Sequence, residues 1–371
     1  MDEPQDIPTS AGAAPEASEA GFFRWSDAVT AGHRAVRLSD GREVPSVRFG
    51  DYDLVGLLGS GGMARVYLAR DPGTGRELAL KVLSEEASRD SARRAMFRDE
   101  ARLGRLLSHR HVVRLLDVGA VGGRPYLVLE RVRGWDLGCV VRELGTRGVR
   151  LTESIIASLG LRVARALAYA HGLTDERGRH LGLVHRDLKP GNVMVGEDGA
   201  VKVLDFGVAT FADREASTGE GWVKGTAPYL SPEQVLGYPL SGRSDVFAFG
   251  ALLVALGLGR SPFARKTLEE VGAAVVAADL SREWEAISDA LPGLAGLVLE
   301  CCQPVPSERP TASELVAALE ARTPAGDEAA LEEWIGDVGP TLWPYPEAGD
   351  WPDGVPEGMR RTQVQRGLTP R

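Results

Sequence analysis

The sequence predicts an α+β fold of two lobes, a small β-rich lobe followed by a larger helical lobe. Two observations predict it: short β-type runs dominate from Tyr52 to Glu130, and helical patterns dominate after Trp135. The chain also has 371 residues, of which 43% are hydrophobic and 26% charged. This balance is typical of a globular protein and excludes a wholly disordered chain or a collagen-like fibre.

Each element follows from its local pattern. The first lobe is predicted to contain one helix, at Ser91–Leu107, and strands at Tyr52–Leu58, Val66–Ala69, Leu78–Leu83, Val113–Val118 and Tyr126–Glu130. The second lobe is predicted to contain helices at Thr152–His171, Asp245–Leu258, Leu268–Ala278, Leu294–Cys302 and Ala312–Glu320. The apolar run Val246–Gly259 is shorter than the ~20 residues that a bilayer span needs, so we expect a buried core helix.

Composition divides the chain further. Residues 1–20 carry five acids and no base, and we expect this acidic leader to be disordered. In the N-terminal extension that follows, the turn Ser39-Asp40-Gly41-Arg42 suggests a hairpin. The predicted parts are therefore the leader 1–20, the extension 21–50, the main domain 51–325 with lobes at 51–130 and 131–325, and a C-terminal extension and tail, 326–371.

Charge and cysteine content exclude several classes of protein. The net charge of −9 comes from the ends of the chain, so the nearly neutral main domain shows no electrostatic footprint for nucleic acid. The three cysteines, Cys139, Cys301 and Cys302, form neither a disulfide framework nor a zinc-ligand pattern. No secretory signal or membrane span is visible. We therefore expect a cytoplasmic protein with no nucleic-acid or membrane partner.

A glycine-rich stretch, Leu58-Gly59-Ser60-Gly61-Gly62, lies between two predicted strands. Glycines let the backbone approach phosphates and offer them bare N–H donors. The stretch is not a P-loop, because no Gly-Lys-Ser/Thr closes it and a strand follows it. Taken alone, it fits a glycine-rich hairpin as well as a phosphate-binding loop.

Lys81 is a single charge in the otherwise apolar strand Leu78–Leu83. A buried lysine needs a partner, and Glu100 on the predicted helix is a candidate. A lysine at a strand edge that reaches solvent is the alternative.

The segment His185-Arg186-Asp187-Leu188-Lys189-Pro190-Gly191-Asn192 indicates chemistry more strongly, and Asp205-Phe206-Gly207 follows it at the end of a β-type run. Asn192 and Asp205, at two strand ends, have the oxygen ligands that Mg²⁺ prefers. Asp187 is then left to orient a hydroxyl group.

Together these motifs resemble, in order and spacing, those of a bacterial eukaryotic-like (Hanks-type) serine/threonine protein kinase. The resemblance runs from about Tyr52 to Arg322 and includes Ser231-Pro232-Glu233, Ser244–Gly250 and Glu308-Arg309-Pro310. It implies the two-lobed kinase fold and ATP and Mg²⁺ as cofactors. It also implies transfer of the ATP γ-phosphate to Ser or Thr hydroxyls of protein substrates, together with autophosphorylation.

The resemblance also implies a role for each motif residue. Lys81, held by Glu100, would contact the α- and β-phosphates. Asn192 and Asp205 would bind Mg²⁺, and Asp187 would accept the proton of the substrate hydroxyl. The remaining ATP contacts, including backbone bonds at Glu130 and Val132 in the hinge between the lobes, would come from Leu58, Gly59, Ser60, Gly61, Gly62, Val66, Ala79, Leu129, Glu130, Val132 and Met194.

By the same resemblance, Lys189 has a catalytic role beside the γ-phosphate and indicates Ser/Thr specificity. Two alternatives remain: a pseudokinase that only binds, and a small-molecule phosphotransferase. The complete motif set argues against the first, and the docking segment from Gly225 to Glu233 argues against the second. The chain departs from the family pattern at Ala64, at Ser231 and in an insertion at 173–182, to which we assign no function.

Regulation is predicted around Arg186, whose positive charge lies beside the catalytic Asp. In related kinases a phosphate on the activation segment neutralises this arginine. We expect autophosphorylation that raises activity at Thr218, or as second choice at Ser217, and a structural hydroxyl at Thr226. For the C-terminal extension two readings stay open: its tryptophans pack on the larger lobe, or its tail docks a partner or is phosphorylated.

Overall fold

A seven-stranded antiparallel sheet forms the smaller lobe in this computed structural model, which describes residues 34–41, 43–147, 150–206, 226–322 and 331–336. Its spatial order is β1-β2-β3-β4-β5-β7-β6. The strands are β1 (Arg34–Arg37), β2 (Glu43–Phe49), β3 (Tyr52–Ser60), β4 (Ala64–Arg70), β5 (Glu77–Leu83), β6 (Leu115–Val121) and β7 (Arg124–Glu130). The lobe also contains the helices α1 (Glu85–Arg89) and α2 (Ser91–Leu106).

The start of α2 follows from a local cap. The Asp90 carboxylate accepts hydrogen bonds from the Ala92 and Arg93 N–H groups, which would otherwise lack partners in the first turn. Phe97 is buried between α2 and the sheet, in a cluster with Leu83 and Leu127. This packing holds α2, and therefore Glu100, against the sheet that carries Lys81.

The larger lobe is mostly helical, so the predicted two-lobed α+β fold is confirmed. Its helices are α3 (Leu137–Arg147), α4 (Glu153–His171), α5 (Pro232–Leu236), α6 (Gly242–Leu258), α7 (Leu268–Ala277), α8 (Trp284–Ala290), α9 (Ala295–Cys301) and α10 (Ala312–Glu320). A small antiparallel sheet in the order β10-β9-β8 consists of β8 (Gly134–Asp136), β9 (Val193–Gly196) and β10 (Val201–Val203).

Helix α6 is apolar on every side and buried, as its sequence predicts. It begins three residues before the predicted start because the Ser241 side chain accepts from the Arg243 N–H and forms a capping box with Ser244. Gly250 lets α9 approach closely, since a Cβ atom there would lie 2.7 Å from Cys301 Cβ. Burial raises the pKa of Cys302 to about 12, so this thiol stays protonated.

Several short elements lack a pattern that the sequence alone reveals. Strand β8 has three residues and exists because Trp135 pairs with Val195 of β9. Helix α5 begins where Ser231 forms a capping box with Gln234, which gives a structural reason for the serine at this position. In the insertion, Thr174 and His180 form an isolated bridge around a turn held by Asp175.

The segment 331–336, which follows the larger lobe, packs against it. Leu331 and Ile335 are buried in its core, and Trp334 packs beside them. Glu332 lies against Gly199 in the turn between β9 and β10. Residues 337–371, with Trp343, Trp351 and the proposed tail, lie outside the described residues. Within the described ranges, no helix has both the length and the apolar character that crossing a bilayer requires.

His111 gives the fold a dependence on pH. Its Nδ1 bonds the Val201 carbonyl at 3.0 Å, its buried Nε2 has no partner within the described ranges, and burial lowers its pKa to about 4. The unfolded chain takes up this proton near pH 6.5, whereas the folded protein takes it up only near pH 4. The free energy of unfolding therefore keeps its full contribution from neutral His111 above pH 6.5. We expect it to fall by up to about 3 kcal/mol as the pH is lowered to 4.

Urea unfolding at several pH values tests this. The His111→Gln variant should lose less stability between pH 6.5 and 4 than the wild type. His180, which is exposed in the insertion, offers a matched control. His180→Gln should keep the wild-type slope of unfolding free energy against pH. An unchanged slope in His111→Gln would show that His111 is not the group responsible.

Candidate active site

Lys81 lies in β5, between β4 and β7, and its side chain joins the two lobes. Its Nζ is 2.7 Å from Glu100 Oε1 on α2 and 2.9 Å from Asp205 Oδ2 in the larger lobe. Burial would lower the pKa of Lys81, but the two carboxylates outweigh burial and raise it. Partial loss of hydration would raise the pKa of Asp205, but Lys81 outweighs it and lowers that pKa. Lys81 and Asp205 are therefore charged at neutral pH, whereas burial raises the pKa of Glu100 despite its pairing with Lys81.

One face of the sheet carries four of the predicted nucleotide residues. Lys81 pairs with Val66 across the β4–β5 ladder, and Ala79 pairs with Leu129 across the β5–β7 ladder. Directly opposed residues share a face, as do residues two apart on one strand. Val66, Ala79 and Leu129 therefore lie on the face from which Lys81 reaches Asp205.

The glycine loop joins the end of β3 to the start of β4, where Ser60 pairs with Arg65. Among the residues that the structure describes, a Cβ atom at Gly59 or Gly62 would meet no atom within 4 Å, and at Gly61 only the Ala64 carbonyl oxygen at 3.7 Å. Neither packing nor a left-handed backbone requires glycine at these three positions. The open space beside them suits a ligand that approaches the backbone, as phosphates do.

Asp187 is held through one carboxylate oxygen only. Its Oδ2 accepts from Lys189 Nζ at 2.8 Å and from Asn192 Nδ2 at 2.9 Å. Its Oδ1 is buried and has no partner among the described residues. Lys189 Nζ also donates to Thr226 Oγ1 at 2.9 Å, so Thr226 joins the same group. Oδ1 is thus the atom of this carboxylate that remains to accept a proton from another molecule.

The loop that carries Asp187 is anchored by Asp245 at the start of α6. The Asp245 carboxylate accepts from the backbone N–H of His185 at 2.7 Å and of Arg186 at 2.9 Å. It also bonds His171 Nε2 at 2.8 Å. Arg186 has φ of 67°, and Gln234 of α5 donates to its carbonyl at 2.7 Å. This strained residue is thus fixed from both sides.

His185 connects Asp187 to the segment that ends in Asp205. Its Nδ1 accepts from the Asp187 N–H at 3.3 Å, so Nε2 carries the proton that is donated to the Leu204 carbonyl at 2.8 Å. The imidazole also contacts the Phe206 ring, with centroids 4.8 Å apart. Asp205 itself has φ of 40°, which places a second left-handed residue in the site.

Asn192 and Asp205 fit a divalent cation that is shared with phosphates. Asn192 uses its amide nitrogen to bond the Asp187 carbonyl at 2.7 Å, which leaves its amide oxygen as a ligand atom. The described residues contain no cluster of three or more His, Cys, Asp or Glu side chains around a cation site. A small oxygen set completed by phosphates and water is how Mg²⁺ is usually bound at nucleotide sites.

Lys202 was missed as a site residue by the sequence analysis. From β10 its Nζ donates to Glu130 Oε1 at 2.6 Å, and the same oxygen accepts from the Arg114 N–H at 2.9 Å. Only five of the 43 basic residues are lysines, and three of them, Lys81, Lys189 and Lys202, lie at this site. The rarity of lysine was the signal available in the sequence.

The other predicted residues are placed as follows. Leu58 lies on β3, Met194 lies on β9 opposite Lys202, and Val132 lies two residues after the end of β7. No hydrogen bond to the Val132 backbone occurs among the described residues, so its N–H and carbonyl remain for a ligand. Ser217 and Thr218 fall outside the described part of the chain.

Comparison with known proteins agrees with this geometry. The family model "Protein kinase domain" matches residues 52–319. The chain belongs to the protein kinase family. The crystal structure of the Mycobacterium tuberculosis PknI kinase domain is similar, with a TM-score of 0.57 and 26% sequence identity, and the match covers 75% of this chain and 98% of that one. Protein kinases use ATP together with a divalent metal ion.

Curated relatives of this chain include proteins named as serine/threonine-protein kinases and one named as a tyrosine-protein kinase. A probable serine/threonine-protein kinase, CE0033 of Corynebacterium efficiens, is 39% identical over 280 residues, or 72% of this chain. The probable serine/threonine-protein kinase PknB of Corynebacterium glutamicum is 37% identical over 279 residues, again 72% of the chain. The tyrosine-protein kinase MasK of Myxococcus xanthus is 33% identical over 276 residues, or 73%. These matches span only 41%, 41% and 43% of the three relatives' lengths.

Proposed function

We propose that this protein is a serine/threonine protein kinase that transfers the γ-phosphate of ATP to hydroxyls of protein substrates and of itself. The observation that carries the proposal is the Asp187 carboxylate, with Oδ2 held by Lys189 and Asn192 and a buried Oδ1 that has no partner in the described part of the chain. The names of two relatives and the presence of Lys189 support Ser/Thr specificity.

The protein's own groups account for the reaction. Asp187 Oδ1 orients the substrate hydroxyl and accepts its proton, and Lys189 places a positive charge beside the transferred group. Lys81, fixed by Glu100, holds the α- and β-phosphates in place. Mg²⁺, held by Asn192 and Asp205, would neutralise charge on the phosphates. Positioning and charge neutralisation are the main requirements of a loose phosphoryl-transfer transition state.

Regulation and partners form the second part of the proposal. Thr218, or failing that Ser217, is the autophosphorylation site that raises activity through Arg186. Thr226 is structural, which its bond to Lys189 supports. A partner for the C-terminal tail and a cytoplasmic location stay predictions from the sequence.

The test measures transfer of labelled phosphate from ATP, in the presence of Mg²⁺, to the protein itself and to a generic acceptor protein. Phosphoamino-acid analysis of the products follows. We expect phosphoserine and phosphothreonine from the wild type and none from Asp187→Asn. Phosphotyrosine as the main product would instead indicate tyrosine specificity, as the name of MasK states for that relative. No product from a folded wild type would favour the pseudokinase. Mass spectrometry of the same samples shows whether Thr218 or Ser217 is modified.

A further inference from the structure

The hairpin of β1 and β2 lies before the region that matches the family, which begins at residue 52. It extends the sheet beyond β3, with β2 paired to β3. Val36, Leu38 and Val44 of the hairpin bury Val55 of β3 and Leu68 of β4 in one cluster. This packing accounts for the stability of the hairpin but not for the contacts of its turn.

The turn of the hairpin reaches the start of β5 through Ser39. The Ser39 N–H and hydroxyl both donate to Glu77 Oε1, at 2.8 and 2.7 Å. The other Glu77 oxygen pairs with Arg131, in the segment between the lobes. The Ser39 hydroxyl also accepts from Arg133 Nη1 at 2.8 Å. One serine thus bonds both Arg133 and the carboxylate that holds Arg131.

Residues 130–133 form the hinge, and side chains from different parts of the chain hold it. Glu130 is held by Lys202 from the larger lobe. Arg131 is held by Glu77. Arg133 is held by Ser39, with Glu197 3.7 Å away in the turn after β9. Between these anchors, Val132 presents the backbone N–H and carbonyl that our proposed function assigns to the adenine edge.

We propose that the N-terminal hairpin is a positioning element for the nucleotide site, and that Ser39 acts as its contact with the hinge. By fixing Arg131 and Arg133, the hairpin holds the backbone at Val132 in the orientation that an adenine ring requires. A preorganised hinge loses less conformational entropy when the nucleotide binds. This inference rests on the proposed function, since it assumes a nucleotide between the lobes.

Binding of Mg²⁺·ADP by calorimetry, together with KM for ATP and kcat, tests the proposal on the full chain. Ser39→Ala removes the hydroxyl but leaves the packing of Val36, Leu38 and Val44 in place. We expect its Kd for ADP and its KM for ATP to rise about two- to fivefold, because two exposed hydrogen bonds to charged groups are lost, with kcat and the melting temperature unchanged. Ser39→Thr keeps the hydroxyl and should restore wild-type affinity.

Glu43→Gln provides the matched control. It breaks the exposed pair Arg37–Glu43 on the same hairpin and leaves the hinge untouched, so nucleotide affinity should not change. An unchanged Kd in Ser39→Ala, or the same increase in Glu43→Gln, would overturn the positioning role.

A different result would refute the proposed function itself. If the folded wild type binds no Mg²⁺·ADP, the assignment of a nucleotide site is wrong. The contact of the hairpin is then judged by hydrogen exchange at the amides of residues 131–134. Faster exchange in Ser39→Ala than in Glu43→Gln would support the restraint of the hinge, and equal exchange would refute it.

Discussion

Replacement of Lys81 by methionine is expected to lower phosphotransfer by at least about a hundredfold while the protein remains folded. Methionine keeps much of the side-chain volume but removes the charge that lies 2.7 Å from Glu100 and 2.9 Å from Asp205. Without that charge, nothing else on β5 would hold Glu100 in place or neutralise the phosphates that our proposal places beside Lys81. Initial rates at saturating ATP measure the effect, with thermal unfolding recorded on the same samples.

The stability cost should be modest in comparison. Asp205 is 41% exposed, so water can solvate part of the charge that Lys81 leaves behind, and we expect a loss of about 1–3 kcal/mol. Lys266→Met makes the same change at an exposed lysine. It should leave both the phosphotransfer rate and the free energy of unfolding unaltered. Activity of Lys81→Met within tenfold of the wild type would remove Lys81 from the catalytic set.

Replacement of Arg309 by methionine is expected to destabilise the larger lobe by about 3–5 kcal/mol. The guanidinium is fully buried and forms two bonds with Glu233, Nη1–Oε1 at 2.7 Å and Nη2–Oε2 at 2.8 Å. Its remaining N–H groups donate to the carbonyls of Gln303, Arg243 and Pro304. All five donors are therefore used, and the substitution leaves an unpaired buried carboxylate. The urea midpoint measures the loss.

The exposed pair Arg165–Glu320 provides the comparison. Its two charged groups are 2.9 Å apart, but the side chains are 37% and 50% exposed. Arg165→Met should therefore cost less than about 1 kcal/mol. Arg309→Lys should also be strongly destabilising, because an ammonium group cannot reproduce the forked geometry. Equal losses in Arg309→Met and Arg165→Met would contradict the importance of burial.

Much of the candidate site was predictable because its residues are close in sequence. Asp187, Lys189 and Asn192 lie within six residues, and the turn Pro190–Asn192 brings the last of them back to the carboxylate. Lys81 and Glu100 are 19 residues apart, but a strand followed by a packed helix leaves few other ways to satisfy a buried lysine. Local spacing and the requirement to pair buried charges were sufficient in both cases.

The supports of the site were not predictable in this way. Asp245 lies 60 residues after His185, and Lys202 lies 72 residues after Glu130. Ser39 reaches Arg133 across 94 residues. Each is an ordinary polar side chain in its own segment, and only the packing of separate elements gives it a partner.

The sequence by itself determined the two-lobed fold class, the pairing of Lys81 with Glu100 and the burial of α6. These properties depend on periodicity, on residue chemistry and on short spacings, which act within one segment of the chain. Only the tertiary structure decided which oxygen of Asp187 has no partner among the described residues, and which side chains hold the hinge. Those outcomes depend on contacts between distant segments, because hydrogen bonds act over about 3 Å and their partners are fixed only when the chain has packed.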